Sequence, residues 1–287
     1  METNPYVSTA WAGRLPGFTT PPRRVVSLVP SITESLYDLG AGGLLVGCTD
    51  YCTHPARETA ALDKVGGPKD VRVGDVLALS PDFVIASQEE NQKEAVEALA
   101  ASGLSVWVIH PRSVSQAFEV LWGLAHIFQS DAAVYRILSL EPSYEWTKAA
   151  AGNSRPWRYF CPIWYEENPV LGGRWMTFNA STYPADLLAA LGGQNVFAGA
   201  VREGGGDGSA YPWVSAQALR QVDPEIILLP DEPYPFSALD AQGLRSLFPM
   251  IKAVRDEKLI LLDGSLITWY GTRLARALDV LPNLLGI

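Results

Sequence analysis

The sequence predicts an α/β protein made of two Rossmann-like lobes with parallel sheets, joined by a long connecting helix. Three observations carry that prediction. First, β-branched runs alternate with amphipathic helical stretches, the order that produces parallel sheets. Second, the chain resembles itself. "VLALSPDFVIA" (76–86) and "ALRQVDPEIILLP" (218–230) share a helix, a Pro-acid pair and a β-branched run, and "LGAGGLLVG" (39–47) and "LGGQNVFAG" (191–199) share a helix-ending LG, a turn and a short strand. The offsets, 143 from Pro81 to Pro224 and 152 from Leu39 to Leu191, agree to within a loop insertion. Third, residues 113–150 read as almost uninterrupted helix without the Gly- or Ser-rich composition of a flexible tether.

The elements follow in order. Residues 1–23 form an N-terminal tail draped on the first lobe, and residues 24–112 form that lobe. In it "RVVSLV" (24–29) is a strand, and "SITESLYDLG" is a helix with a capping box from Ser31 to Glu34. "LLVGC", "DFVIAS" and "SVWVIH" are further strands. The helical connection spans 113–150, and the second lobe, 151–287, repeats the pattern with "WRYFCPIW", "EIILLP" and "KLILLDG" as strands. A chain of 287 residues exceeds what one core usually supports, which agrees with two lobes of roughly 100–150 residues.

Composition removes several classes of function. With 48% apolar and 18% charged residues the chain is an ordinary globular protein. A net charge of −9 without any basic run argues against nucleic acid or an anionic membrane as partner. No apolar run approaches the ~20 residues of a membrane span, so no membrane insertion is expected. The N-terminus lacks a secretory signal, which places the protein in the cytoplasm if residue 1 is the natural start, and in the periplasm or another extracytoplasmic space if the true start lies upstream. Three cysteines, Cys48, Cys52 and Cys161, are an odd count that fits a reducing compartment.

Parallel sheets bind ligands at the carboxyl ends of their strands. There the sequence places Pro30 and Ser31, "TDYCTHP", "SQEEN", "WYEENP", "PDEPYPF" and "SLITWYGTR", which are rich in rings, acids and amides in both halves. An aromatic-lined cleft between two lobes, closed by a few polar groups, suits a large flat or macrocyclic small molecule.

Taken in order, "RVVSLVPSITESLYDLG", "VGCTDYCTHP", "KVGG", "ALSPDFVIAS", "LLAALGGQNVF" and "WYGTRLARALDVL" resemble the class III, helical-backbone substrate-binding proteins of ABC importers, nearest the cobalamin-binding branch, over about residues 24–286. Members of that family carry cobalamin, haem or ferric siderophores. The resemblance implies two lobes around a ligand cleft, with Tyr51 and Tyr211 matching aromatic contacts and Trp269 or Arg273 in the last binding loop. Two tryptophans that frame the corrin in that family fall on Pro68 and Ser87, so Trp164, Trp175, Tyr234 and Phe236 would have to rebuild the cradle. The surface glutamates that pair with permease arginines match Gly74 and Gln217, with Asp75 beside the first, so docking on an ABC permease lacks its charged pairs.

The expected ligand set is therefore Tyr51, His54, Trp164, Tyr165, Trp175, Tyr211, Glu232, Tyr234, Phe236, Trp269, Tyr270 and Arg273. No intrinsic cofactor is expected; a corrinoid or metal chelate enters as ligand, with His54 as a candidate axial ligand to its metal. A protein-only zinc site from Cys48, Cys52 and His54 lacks a fourth ligand.

The expected function is non-catalytic binding of a corrinoid or another metal-bearing macrocycle. One alternative is an exported receptor for ferric siderophore or haem. The other is an enzyme that uses Glu166, Glu167, Asp231 and Glu232, although no G-x-S-x-G, H-E-x-x-H or Walker lysine names a reaction. The glycine-rich stretch 202–212 has no Lys-Ser/Thr ending and reads as a loop rather than a phosphate cradle.

Overall fold

In the computed structural model, described over residues 15–167, 173–200 and 210–286, the chain divides into two compact units. The first holds residues up to Pro111, Ser115–Glu141 and Tyr270–Arg273; the second holds Arg112–Val114, Pro142–Trp269 and the residues from Leu274 onward.

The elements of the first half are β1 Val25–Ser27, α1 Pro30–Asp38, β2 Leu45–Cys48, α2 Ala56–Thr59, β3 Asp63–Lys64, α3 Val73–Ala78, β4 Phe83–Ser87, α4 Lys93–Ala101 and β5 Ser105–Ile109, followed by α5 Val114–Phe128 and α6 Asp131–Ala151. The five strands form one parallel sheet in the order β3-β2-β1-β4-β5. Every residue of β1 and β4 is buried, the pattern of central strands covered on both faces, which is why they read as unbroken apolar runs. Phe18, ahead of β1, stacks edge-on against Phe83 at 5.1 Å; the rest of the expected tail, residues 1–14, lies outside the described residues.

The second half contains β6 Trp157–Phe160, β7 Pro162–Glu166, β8 Arg174–Thr177, α7 Tyr183–Ala190, β9 Gly193–Asn195, β10 Trp213–Ser215, α8 Ala216–Val222, β11 Ile226–Pro230, α9 Ala238–Leu247, α10 Lys252–Arg255, β12 Leu259–Leu262, α11 Ser265–Thr268 and α12 Leu274–Leu285. Four parallel strands run in the order β12-β11-β6-β9. Reversed, this is β9-β6-β11-β12, the arrangement of β2-β1-β4-β5 in the first sheet, so the internal repeat is a repeat of topology.

The corners repeat as well. The C-cap residues Leu39 and Leu191 end α1 and α7, and each is followed by a glycine with positive φ, Gly40 at 80° and Gly192 at 85°. The residues ahead of the paired prolines, Ser80 and Asp223, both turn left-handed, at 48° and 44°. Glycine at the helix ends is the cheap solution, because a Cβ clashes with the following carbonyl in that conformation.

Three sequence expectations change. "WRYFCPIW" is two strands: the chain leaves the parallel sheet at Cys161, and β7 pairs instead with β8 and β10 in a three-stranded antiparallel sheet. The connection is two helices, broken where Gln129 takes φ 49° and the Ser130 hydroxyl caps α6 by accepting from Ala133 N at 3.1 Å. Ser130 also donates to Leu39 O at 3.1 Å, which ties the break to the end of α1. α6 contains Pro142, which is also where the second unit resumes. The Ser31–Glu34 capping box is not formed: α1 starts with Pro30 and has no side-chain cap, and the buried Ser31 hydroxyl has no partner. Proline at the first helical turn needs no cap for its missing N–H, which moves the helix start one residue ahead of the serine.

Replacing Gly40 or Gly192 by alanine is expected to cost about 1–2 kcal/mol each from backbone strain. Gly43→Ala, where an added methyl meets nothing within 4 Å, should stay near neutral. Urea midpoints at unchanged m-value measure both.

Candidate functional site

In the first unit Asn91 ties the carboxyl-end loops together. Its Oδ1 accepts from Ser87 N at 2.7 Å, and its Nδ2 donates to Leu28 O at 3.2 Å and Pro68 O at 3.1 Å. The side chain is buried, and these bonds satisfy its amide while fixing the ends of three loops. Ser87 Oγ accepts from Glu89 N at 3.2 Å and Glu90 N at 3.3 Å, so this turn is held from inside. Pro68 and Ser87 thus belong to this staple.

Above that frame Tyr51 is 65% exposed, its ring running over Gly67 so closely that a methyl there would stand 3.3 Å from it. His54 is half-buried, with Nδ1 3.1 Å from the Thr53 hydroxyl. Tyr270 and Arg273 are buried and engaged. The Tyr270 hydroxyl donates to Glu90 Oε1 at 3.3 Å. Arg273 grips Glu34 with Nε and Nη2, both at 2.7 Å. The expectation that Arg273 meets the ligand is corrected: a guanidinium 1% exposed and bound bidentate is a structural anchor.

Glu90 has no such cation. Burial pushes its carboxyl up to about 8, the Glu89 and Cys52 charges add to the effect, and the Tyr270 hydroxyl and Lys69 oppose it. Lys69 spends a hydrogen bond on Glu89 O at 2.7 Å. This edge therefore presents a neutral carboxylic acid near neutral pH.

In the second unit the strand ends gather rings. Tyr234 lies 5.6 Å from Trp164, 6.5 Å from Tyr165 and 4.6 Å from Phe236, and Tyr165 lies 5.3 Å from Trp175. β7 supplies Trp164 and Tyr165, β8 supplies Trp175, and the loop after β11 supplies Tyr234 and Phe236. Period-2 alternation along β7 sends Trp164 outward, 44% exposed, and its neighbours inward. Trp175 and Phe236 are buried in the core, where Trp175 meets Phe248 at 5.6 Å; both support the cluster from below rather than offering a face. Tyr211, partly exposed, directly precedes the Pro212 whose carbonyl accepts from Thr177 N at 3.0 Å.

Three of the four acids expected at this edge are committed. Glu166 pairs with Arg174 at 2.6 Å, and Arg174 also lies 4.4 Å over the Trp213 ring. Asp231 Oδ1 accepts from Gly264 N at 2.8 Å, and Glu232 accepts from the Thr268 hydroxyl at 2.9 Å. Burial raises the Glu232 pKa against hydrogen bonds from Thr268 and Trp269. Gly264 is required here, since a Cβ would stand 2.6 Å from Glu232 Cγ. Glu232 and Trp269 therefore lock the loops after β11 and β12 together, which removes these acids from the carboxylate-enzyme alternative.

Sequence reading missed Glu34 and Thr268 as partners, because pairs 239 and 36 residues apart leave no local pattern. Cys48, Cys52 and Cys161 are all free and buried, and no group of three metal-ligating side chains exists among the described residues. No helix among those residues is long and apolar enough to cross a membrane. The stretch 202–212 lies largely outside the described residues.

Residues 25–266 match the family described as periplasmic binding protein. A vitamin B12-binding protein of Vibrio cholerae is 22% identical over 271 residues, covering 92% of this chain and 88% of that protein. One from Yersinia pestis is 27% identical over 216 residues, covering 72% and 69%. Among solved structures, the periplasmic vitamin B12-binding protein of Vibrio cholerae superposes with a TM-score of 0.77 at 20% identity, over 93% of this chain and 98% of that one. A periplasmic heme-binding protein from Roseiflexus sp. RS-1 gives 0.74 at 21% identity, over 92% and 97%.

Two outcomes follow from the geometry. Arg273→Ala leaves the Glu34 carboxylate without its cation and should destabilise by about 3–5 kcal/mol, while the double change Arg273→Met with Glu34→Leu recovers most of it in chemical denaturation. Glu90 binds its proton more tightly folded than unfolded, so its contribution is complete below its ordinary pKa and is lost as pH rises toward about 8. Across that window the stability of the native chain should fall relative to Glu90→Gln, and parallel curves would exclude a buried neutral acid.

Proposed function

The chain belongs to the periplasmic binding protein family, and from that premise we propose that it captures a corrinoid or a comparable metal-bearing macrocycle without transforming it. The carrying observation is the ring cluster at the carboxyl ends of β6 and β11, headed by the exposed Trp164 and the half-buried Tyr234. Exposed aromatic faces on a rigid base are what a flat, largely apolar ligand needs, and the base here is a packed core rather than a loop.

Taken by itself, the first unit has an exposed ring in Tyr51, and its neutral Glu90 is a polar group that accepts or donates without the penalty of burying a charge. Support also comes from the relatives, whose names record binding of vitamin B12 or heme. Haem is the second reading, favoured by the heme-binding proteins among the structures of the same fold. His54, with Nδ1 turned to Thr53, has Nε2 as the atom that would reach the metal of either ligand.

Gly74 and Gln217 are exposed on α3 and α8, and Asp75 is paired with Arg72 at 2.5 Å. We therefore read this chain as a binder without the acid pair for permease docking. Co-purification with a membrane subunit would reverse that, and cell fractionation separates a cytoplasmic carrier from an exported receptor.

The deciding experiment is the visible spectrum of purified protein after addition of hydroxocobalamin, cobinamide, haemin or a ferric siderophore and gel filtration. One of the first three should be retained, with a shifted band if His54 meets the metal and none in His54→Ala. Trp164→Ala and Tyr234→Ala should each weaken binding roughly tenfold, the loss of one stacked ring. Retention of none of the four, or full affinity in the double variant, removes this reading.

A further inference from the structure

The function above leaves one cluster unused: Cys48, Cys52 and Lys64. Cys48 ends β2, and Cys52 follows four residues later in a turn closed by Cys52 N donating to Thr49 O at 3.1 Å. Cys48 Sγ and Cys52 O lie against the same lysine ammonium. Lys64 sets Nζ 3.3 Å from Cys48 Sγ and is steadied by Cys52 O at 3.2 Å and Thr49 O at 3.4 Å. Its hydrogen-bond partners are a thiol and two carbonyls, so among them only the sulfur can ionise. Cys52 Sγ is placed by the hydroxyls of Thr33 at 3.1 Å and Thr49 at 3.2 Å.

We propose that Cys48 and Cys52 are a redox modification site, a dithiol that closes to an intrachain disulfide by exchange with a small-molecule disulfide. Cys48 is the nucleophile and Cys52 the resolving thiol. The Cys52 thiol, then Lys64, draws the Cys48 pKa down to about 7 against burial and Asp50. Tyr37 and Glu90 are the remaining titratable neighbours of the pair. A thiolate that is abundant near neutral pH attacks first.

The exchange balances as follows. Cys48 thiolate attacks one sulfur of R–S–S–R, the S–S bond breaks, and RS⁻ leaves and takes a proton from water. Cys52 gives its proton to solvent and attacks the Cys48 sulfur of the mixed disulfide, expelling the second RS⁻. Two protein thiols are oxidised and one disulfide is reduced to two thiols. Both cysteines are buried, but Tyr51 and Thr53 on either side of Cys52 are exposed, so opening this one turn admits the reagent. The closed ring would enclose Thr49, Asp50 and Tyr51 and so fix the backbone under the exposed ring. Its effect on ligand capture rests on the proposed function; the thiol chemistry does not.

The test uses the native full chain with one equivalent of 4,4′-dithiodipyridine and no ligand. Two equivalents of thiopyridone should be released, with a mass lower by two hydrogens and no adduct retained. Cys52→Ser should stop at one adduct and one equivalent, Cys48→Ser should react more slowly than Cys52→Ser, and Cys161→Ser should keep the native stoichiometry. One adduct retained on the native chain with a single equivalent of thiopyridone released, or reaction only in urea, would overturn the proposal.

Discussion

A single buried ion pair sets the plan of the chain. Arg273 reaches Glu34 across 239 residues of sequence, and beside it Thr272 N donates to Ser35 Oγ at 3.1 Å, so four residues near the C-terminus become part of the first unit. An ion pair removed from water repays its desolvation only when geometry and hydrogen bonds are good, and here both guanidinium contacts are short. The segment between α11 and α12 is thereby placed, and with it Tyr270 against Glu90. The loops that carry the candidate site inherit their positions from contacts of this kind: Asn91 in one unit, Asp231 and Glu232 in the other.

The two units solve the same folding problem with different surfaces. They share strand order and left-handed corners, which are demands of backbone geometry that a duplicated sequence keeps for steric reasons. They differ at the carboxyl edge. One edge is stapled by an amide and carries a neutral acid beside a tyrosine; the other is widened by a three-stranded antiparallel sheet that brings tryptophan and tyrosine to the loop after β11. Three of the acids that looked available for catalysis, Glu166, Asp231 and Glu232, are the mortar of that second edge.

Much of this was legible from residues alone. The paired prolines, the LG helix ends and the β-branched runs each have a local cause, so the strands of both parallel sheets apart from the two-residue β3, and the rings from Trp164 to Phe236, could be read directly. What could not be read is what depends on distant pairing. Nothing local marks Glu34 as the partner of Arg273, and it looked instead like a cap. Gln129 and Ser130 break the connecting helix without a glycine or proline, because Ser130 is drawn to the end of α1. Cys161 and Pro162 interrupt no apolar pattern, so the passage of the chain from one sheet to another left no trace in periodicity.

The proline within α6 has a mechanical meaning. Pro142 offers no N–H to the carbonyl of Leu138 one turn earlier, so the ladder of a 21-residue helix lacks a rung near its middle. The residue on the near side of that gap, Glu141, is held by the Trp122 indole at 2.8 Å, while the next turn begins the stretch that belongs to the second unit. A rod with one missing rung bends there before it bends anywhere else. The ladder of α6 is therefore thinnest at the residue where the chain passes from the first unit to the second.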